Sequence, residues 1–205
     1  MAPPFERFAE LGVATTCEGA GGAGLVGGEF VRLVPGARVA GPARTALCGP
    51  ADNLAAHRIL ETVQQGDVVV LVPSEPRAVA VIGELMARQA QVRGAAAVLV
   101  DGPVRDADEI AAFGMPVWAR SLSAAGPAKA VPGELGVPVT VGGVRIEPGD
   151  VVVLDGDGVV IVPLGRTDEV LAAAEARAAQ EAGLRRRIEA GETTADILGL
   201  RSDGR

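Results

Sequence analysis

Two hydrophobic periods alternate along the middle of this chain. Val68-Val69-Val70-Leu71-Val72 is a continuous, largely β-branched run, the pattern of a strand covered on both faces. Ala96-Ala97-Val98-Leu99-Val100 repeats that signature and is broken by Asp101-Gly102-Pro103, and Met115 to Trp118 supplies a third strand. Helical spacing fills the intervals. Pro50 to Thr62 opens at a capping Asp52 or Asn53, carries Leu54, Ile59 and Leu60 as apolar contacts, and includes His57. After a loop from Pro73 to Arg77, Val81 to Arg93 places Ile82, Leu85, Met86, Gln89 and Val92 at helical intervals, with Gly94 as the stop. Asp106 to Phe113 forms a shorter helix. This β-α-β-α-β order predicts parallel strands joined by right-handed crossovers.

The pattern then changes. Val137 to Val141, Val144 to Ile146, Val151 to Leu154 and Val159 to Val162 are short strands separated by Gly-Gly, Pro-Gly-Asp and Asp-Gly-Asp-Gly, so their connections read as hairpins. Asp155-Gly156-Asp157-Gly158 lacks the twelve-residue calcium-loop pattern and reads as a turn. From Thr167 to Ala190, the residues Val170, Ala173, Ala174, Ala178, Leu184 and Ile188 line one stripe of a long amphipathic helix whose weak point is Gly183. Its length suggests packing on a neighbour. With no internal repeat, residues 1–205 read as one mixed α/β domain, with 167–200 a carboxyl-terminal helical region against a neighbouring subunit.

Composition removes several chemistries. The net charge of −7 and five aromatics, four Phe and one Trp, argue against nucleic acid as a partner. Neither a signal-like amino terminus nor a long apolar run is present, so the expectation is a cytoplasmic protein with no membrane contact. The single His57 and the 31-residue separation of Cys17 and Cys48 leave no zinc spacing. Lys129 is the only lysine and lies in a Gly/Pro/Ala-rich stretch without the apolar surroundings a Schiff-base lysine needs. No G-x-S-x-G elbow surrounds any of the four serines.

What remains is concentrated at two places. Ligands of parallel α/β sheets gather outside the carboxyl ends of strands, where Arg105 and Asp106 follow the second strand. Adjacent side chains diverge, so these two suit different parts of one ligand better than each other. Arg105 can grip a carboxylate with two hydrogen bonds, and Asp106 can offer oxygen to a hard cation. The helix opening near Gly83-Glu84-Leu85-Met86 presents amide N–H groups and the positive dipole end, and Glu84 adds a second acidic group. Together these residues suit a 2-oxo acid beside a divalent metal.

Gly83-Glu84-Leu85-Met86, Arg93-Gly94, Val100 to Asp106, Pro116 to Arg120, and Pro148-Gly149-Asp150 through Asp157 to Pro163 stand in an order and spacing that resemble a known family. The set is similar to the 4-hydroxy-4-methyl-2-oxoglutarate / 4-carboxy-4-hydroxy-2-oxoadipate aldolases, a family that also holds the regulator of ribonuclease E activity A. The resemblance implies an α-β-β-α sandwich, of the swivelling phosphohistidine-domain type, assembled as a homo-oligomeric trimer or hexamer with sites at subunit interfaces. It implies Mg2+ or Mn2+ as cofactor and a small-molecule 2-oxo acid as substrate, cleaved by retro-aldol to release pyruvate, with oxaloacetate decarboxylation beside it.

By the same resemblance, Arg105 would hold the pyruvyl carboxylate or oxygen, Asp106 the metal directly, and Glu84 the metal through a water. The amides of Leu85 and Met86, beside Gly83, would bind the carboxylate, and a neighbouring subunit would lend an acid, Glu189 or Glu192. Retro-aldol cleavage and decarboxylation both pass through the enolate of pyruvate. Without a lysine placed for an iminium, a metal and a fixed guanidinium must stabilise that charge.

Two segments depart from the family pattern: Thr15-Thr16-Cys17-Glu18-Gly19-Ala20 with its Gly-rich continuation, and the charged loop Pro73-Ser74-Glu75-Pro76-Arg77. Arg77 is either a reader of a second carboxylate or a solvated charge, and Arg120 is a supporting or subunit contact. The competing readings of the chain are a non-catalytic protein-binding regulator of a ribonuclease and a lyase for another 2-oxo acid.

Overall fold

The computed structural model of the protein describes residues 4–200. Strands β1 (Val31–Arg32), β2 (Val39–Cys48), β3 (Val68–Pro73), β4 (Ala97–Val104) and β5 (Val117–Leu122) lie in the order β1-β5-β4-β3-β2. Of these, β2 to β5 are mutually parallel and β1 is antiparallel to β5. Strand β6 (Glu134–Leu135) pairs with the carboxyl half of β2. A hairpin of β7 (Val139–Val141) and β8 (Val144–Ile146) stands apart. The antiparallel pair β9 (Val151–Leu154) and β10 (Val159–Val162) joins the sheet through the amino half of β2, which switches partner between Pro42 and Ala43.

Strand periodicity sorts the side chains into three apolar interfaces. Val69, Leu71, Val98, Val100, Val117 and Ala119 face the helices α2 (Leu54–Leu60), α3 (Glu84–Val92) and α4 (Ala107–Phe113). The alternate positions Val68, Val70, Val72, Leu99 and Trp118 face Val152, Leu154, Val159 and Ile161, with Val139, Val141 and Ile146 beside them. On the far side of β9 and β10, Val151, Val153, Val160 and Val162 meet Phe8 and Val13 of α1 (Pro4–Gly19) and Val170 of α5 (Thr167–Glu189). The four layers are therefore helix, sheet, sheet, helix: the α-β-β-α sandwich that the family resemblance implied. A short helix α6 (Thr194–Ile197), closed by a Thr193/Asp196 capping box, follows α5.

Several boundaries differ from the sequence reading, each for a physical reason. The helical spacing that begins at Val81 and Ile82 does not make them helical: Val81 lies in a bend and Ile82 in an isolated β-bridge. The Val81 N–H donates to the Pro103 carbonyl at 2.9 Å, and Ile82 bridges Val104. Asp101-Gly102-Pro103 does not end its strand, because β4 runs on to Val104 through an irregularity between Val100 and Pro103. Helix α2 spans only Leu54–Leu60 instead of residues 50–62. The expected α5 stripe is buried only at Val170 and Ala174, where the helix crosses α1; Ala178 and Leu184 are half-buried, and Ala173 and Ile188 are exposed. The first 49 residues, which gave no periodic signal, hold α1, kinked at Gly12, and the central strand β2.

Candidate active site

The backbone contacts of Val81 and Ile82 with Pro103 and Val104 register the start of α3 against the end of β4. The Arg105 N–H donates to the Ile82 carbonyl at 3.1 Å, which sets Gly83 directly beside Arg105 and Asp106. Gly83 is extended, with φ of −139°, so glycine is required here for space. A Cβ would overlap Asp106 Oδ2 and lie 3.0 Å from both Cγ and Nε of Arg105. Asp106 takes the left-handed conformation, φ 57° and ψ 43°, one of the few non-glycine residues to do so. Its carboxylate turns back toward α3: Oδ2 accepts the Glu84 N–H at 3.0 Å and lies 3.5 Å from Arg105 Nε. The two side chains thus approach each other, contrary to the expected divergence, because the left-handed step reverses the chain between them.

In the first turn of α3 the Glu84 amide is taken by Asp106 and the Ala87 amide by the Gly83 carbonyl. The N–H groups of Leu85 and Met86 are thereby left as the donors a helix start offers to an anion. They open on a cavity of about 480 Å³, lined by Gly83 to Met86 together with Arg105, Asp106 and Glu109. The opposite wall is Asn53 and His57 of the α2 segment with Pro127 and Lys129. The Met86 side chain is buried and its Sδ accepts from Asn53 Nδ2 at 3.3 Å, whereas Leu85 is 80% exposed.

Asn53 Nδ2 also donates to the Val81 carbonyl at 2.9 Å. Its Oδ1 and the Nε2 of His57 are buried polar atoms without a protein partner among the described residues. Burial, and then the Lys129 charge, hold the His57 pKa below its ordinary value, favouring the neutral imidazole.

On the Arg105 side of this cavity the donors are the carboxylate oxygens of Glu84, Asp106 and Glu109, with the single imidazole of His57 on the wall opposite. Glu84 Oε1 accepts from Arg88 Nε at 2.8 Å, and the Arg88 guanidinium lies over the Phe113 ring at 4.2 Å. Among the described residues no three His, Cys, Asp or Glu side chains converge as a complete metal cage. That donor set suits magnesium or manganese, hard cations that take one or two carboxylates and keep several waters, and it does not suit zinc. Cys48 is buried on β2, and burial pushes its thiol pKa up to about 12.

Other sequence candidates fall outside the cavity. Arg77 is exposed and pairs with Glu75 at 2.6 Å, the behaviour of a solvated loop charge. Arg120 is a supporting contact: Nε bonds Asp101 Oδ1 at 2.7 Å, Nη1 donates to the Gly27 and Glu29 carbonyls, and the guanidinium covers Phe30. Asp155 anchors its turn and accepts the buried Val13 N–H at 2.9 Å. Glu192 pairs with Arg187 at 2.6 Å, and neither it nor Glu189 lines this chain's cavity. Asn53, Pro127 and Glu109 line the cavity without standing out in the sequence as site residues. Asn53 read as a helix cap, and it does stand at that position, yet its side chain makes no capping bond and turns to the cavity wall.

Known proteins resemble this chain over most of its length. The family model for RraA-like proteins, Aldolase/RraA, matches residues 13–161. A protein of Halalkalibacterium halodurans named "Putative 4-hydroxy-4-methyl-2-oxoglutarate aldolase" is 34% identical over 151 residues, 74% of this chain and 72% of that protein. A solved structure from Streptomyces coelicolor, described as an unusual member of the RNase ES inhibitor RraA protein family, aligns with a TM-score of 0.80 at 30% identity, covering 90% of this chain and 96% of that one. The structure of the RNA-processing inhibitor RraA from Thermus thermophilus aligns with a TM-score of 0.61 at 32% identity, covering 65% of this chain and 81% of that one.

Proposed function

The chain belongs to the RraA-like family of aldolases and RraA proteins, and from that premise we propose that it is a divalent-metal-dependent pyruvate lyase. Its substrate is a 4-hydroxy-2-oxo dicarboxylic or tricarboxylic acid, cleaved by retro-aldol, and oxaloacetate decarboxylation is a second activity of the same site. The observation that carries the reading is the meeting of Arg105 and Asp106, at the carboxyl end of β4, with the free amides of α3 across Gly83.

The chemistry of this reading follows from charge. The amides of Leu85 and Met86 and the guanidinium of Arg105 bind the carboxylate and 2-oxo end of the substrate and orient it. As the 4-hydroxyl gives up its proton to water and the bond between C3 and C4 breaks, C4 becomes a carbonyl and the electron pair passes to the 2-oxo oxygen as an enolate. The Arg105 guanidinium beside Gly83 stabilises that charge until C3 takes a proton from water to give pyruvate. Asp106 would hold a magnesium or manganese ion directly and Glu84 would hold it through water; the ion, when bound, supplies Lewis acidity toward that oxygen. Lys129 on the facing wall adds positive charge for a further carboxylate. A homotrimer or homohexamer in which a neighbouring subunit supplies Glu189 or Glu192 completes the reading.

The test is pyruvate release from oxaloacetate and from 4-hydroxy-4-methyl-2-oxoglutarate, with magnesium, with manganese, and with chelator, in wild type and Arg105→Ala. Release that needs the metal and is lost in the variant is expected. No release from either compound overturns the lyase reading. It would favour a second one, regulation of a ribonuclease, which rests on the likeness to the Thermus inhibitor and would yield a ribonuclease in stoichiometric pull-down.

A further inference from the structure

One wall of the cavity is held by a residue that does not line it. Segment 125–131 passes over the site between β5 and β6. It contributes Pro127 and Lys129 to the cavity, and a Cβ on its Gly126 would lie 3.2 Å from Arg105 Nη1. The segment has little structure of its own. The Ala125 carbonyl accepts the Ala80 N–H, and Ala128 exchanges backbone bonds with Ala51 and Asn53.

Its last turn ends on Asp52. That carboxylate is 3% exposed; Oδ2 accepts the N–H of Ala130 at 2.6 Å and of Val131 at 3.1 Å, while Oδ1 accepts the Leu54 N–H at 2.9 Å. Burial raises its pKa, but these three N–H groups and the Lys129 charge outweigh burial and hold it below its ordinary value.

We propose that Asp52 is a positioning residue, a clasp that holds segment 125–131 closed and thereby places Lys129 and Pro127 in the cavity wall and Gly126 against Arg105. Asp52 touches no bound molecule in this scheme. It acts through two backbone amides, and the helix start at Leu54 is held by its other oxygen. Asp52→Asn loosens the clasp in either orientation of its amide: with the oxygen toward Leu54 the NH2 faces the two segment N–H groups and accepts from neither, and turned the other way it meets them with a neutral oxygen while its NH2 opposes the Leu54 N–H.

The sequence supplies its own reporter. Lys129 is the only lysine, so a lysine-specific endoprotease cuts this chain only between Lys129 and Ala130, and the N–H of that peptide bond is the one Asp52 holds at 2.6 Å. The experiment measures cleavage by mass spectrometry under native conditions in wild type, Asp52→Asn, and Leu99→Ala. Leu99 lies on the opposite sheet face, so its truncation weakens the fold without touching the clasp. Hydrogen bonds to a charged acceptor predict cleavage about ten- to a hundredfold faster in Asp52→Asn than in wild type. Leu99→Ala, compared with Asp52→Asn at the same distance below each protein's own melting temperature, should stay near the wild-type rate. Equal rates in the two variants at that matched point would overturn the proposal, since cleavage would then follow general unfolding, and so would an unchanged rate in Asp52→Asn.

A second arm rests on the lyase reading. Asp52→Asn should raise KM for pyruvate release several-fold while lowering kcat less. A wild type without turnover defeats that reading and leaves the proteolysis arm to decide the clasp.

Discussion

Replacing Gly83 by alanine tests whether the site is built by close approach. Because Gly83 is extended, alanine meets no backbone penalty, and the loss of a glycine stiffens the unfolded chain by about 0.4–1 kcal/mol. That gain offsets the slightly poorer helix start, so the melting temperature should move by no more than about 4 °C. The added methyl group overlaps Asp106 Oδ2, so the carboxylate must retreat by about 1 Å to reach ordinary contact. The retreat breaks its bond from the Glu84 N–H, and Arg105, 3.0 Å from the same Cβ, shifts with it. A displacement of about 1 Å in such a site costs on the order of a hundredfold in rate, equivalent to about 2.7 kcal/mol. The assay is kcat/KM for metal-dependent pyruvate release, with manganese binding followed by electron paramagnetic resonance and melting followed by circular dichroism. Turnover and manganese affinity within about threefold of wild type in a folded Gly83→Ala protein would refute the reasoning.

The remaining expectations concern the frame. His57 has a depressed pKa, so the unfolded chain binds its proton first as pH falls, and the stability it contributes is present above the ordinary value of 6.5 and lost below it. Denaturant midpoints at about pH 7.5 and about pH 5.5 should differ less in His57→Gln than in wild type; an equal difference would contradict this. Asp155→Ala leaves the buried Val13 N–H without its acceptor and should cost about 1–3 kcal/mol in chemical unfolding. Manganese affinity in that variant should remain at the wild-type level. Cys48, buried and raised to about 12, should resist a thiol reagent in the native protein and react only after denaturant is added; prompt native labelling of Cys48, located by peptide mapping, would count against that environment.

The parallel unit was legible because it is buried on both sides. Runs such as Val68 to Val72 must then be apolar at every position, which no exposed segment imitates. The amino-terminal quarter was not, since its signals are individually ambiguous. Strand β2 contains Gly41, Pro42, Arg44 and Thr45, and its polar residues are accommodated only by distant partners, Asp67 for Arg44 and the Val137 carbonyl for Thr45. Helix α1 is interrupted by Gly12, at which a side chain would crowd Arg38 and Asp155.

Gly83, Glu84, Arg105 and Asp106 stand out in the sequence because the charged pair follows a strand and the glycine opens a helix, and the structure brings the four to one cavity. The opposite wall was hidden. Asn53 carries the signature of a cap, and Lys129 and Pro127 lie in a stretch without periodicity, placed by hydrogen bonds that Asp52 makes across 78 and 79 positions of sequence. The misplaced start of α3 had the same origin: Val81 and Ile82 are apolar enough for a helix, but their backbone is committed to Pro103, Val104 and Arg105.

Trp118 is the only tryptophan in a chain without tyrosine, and it sits 1% exposed between the two sheets with its indole N–H on the Asp155 carbonyl at 3.0 Å. The cavity lies beyond the other face of that strand layer, on the side of the helices. Ultraviolet emission from this protein is consequently the signal of one indole, blind to occupancy of the cavity and sensitive to separation of the sheets. A red shift would mark water entering between them, so a single fluorimeter trace can follow the sandwich coming apart while an independent pyruvate assay follows the chemistry.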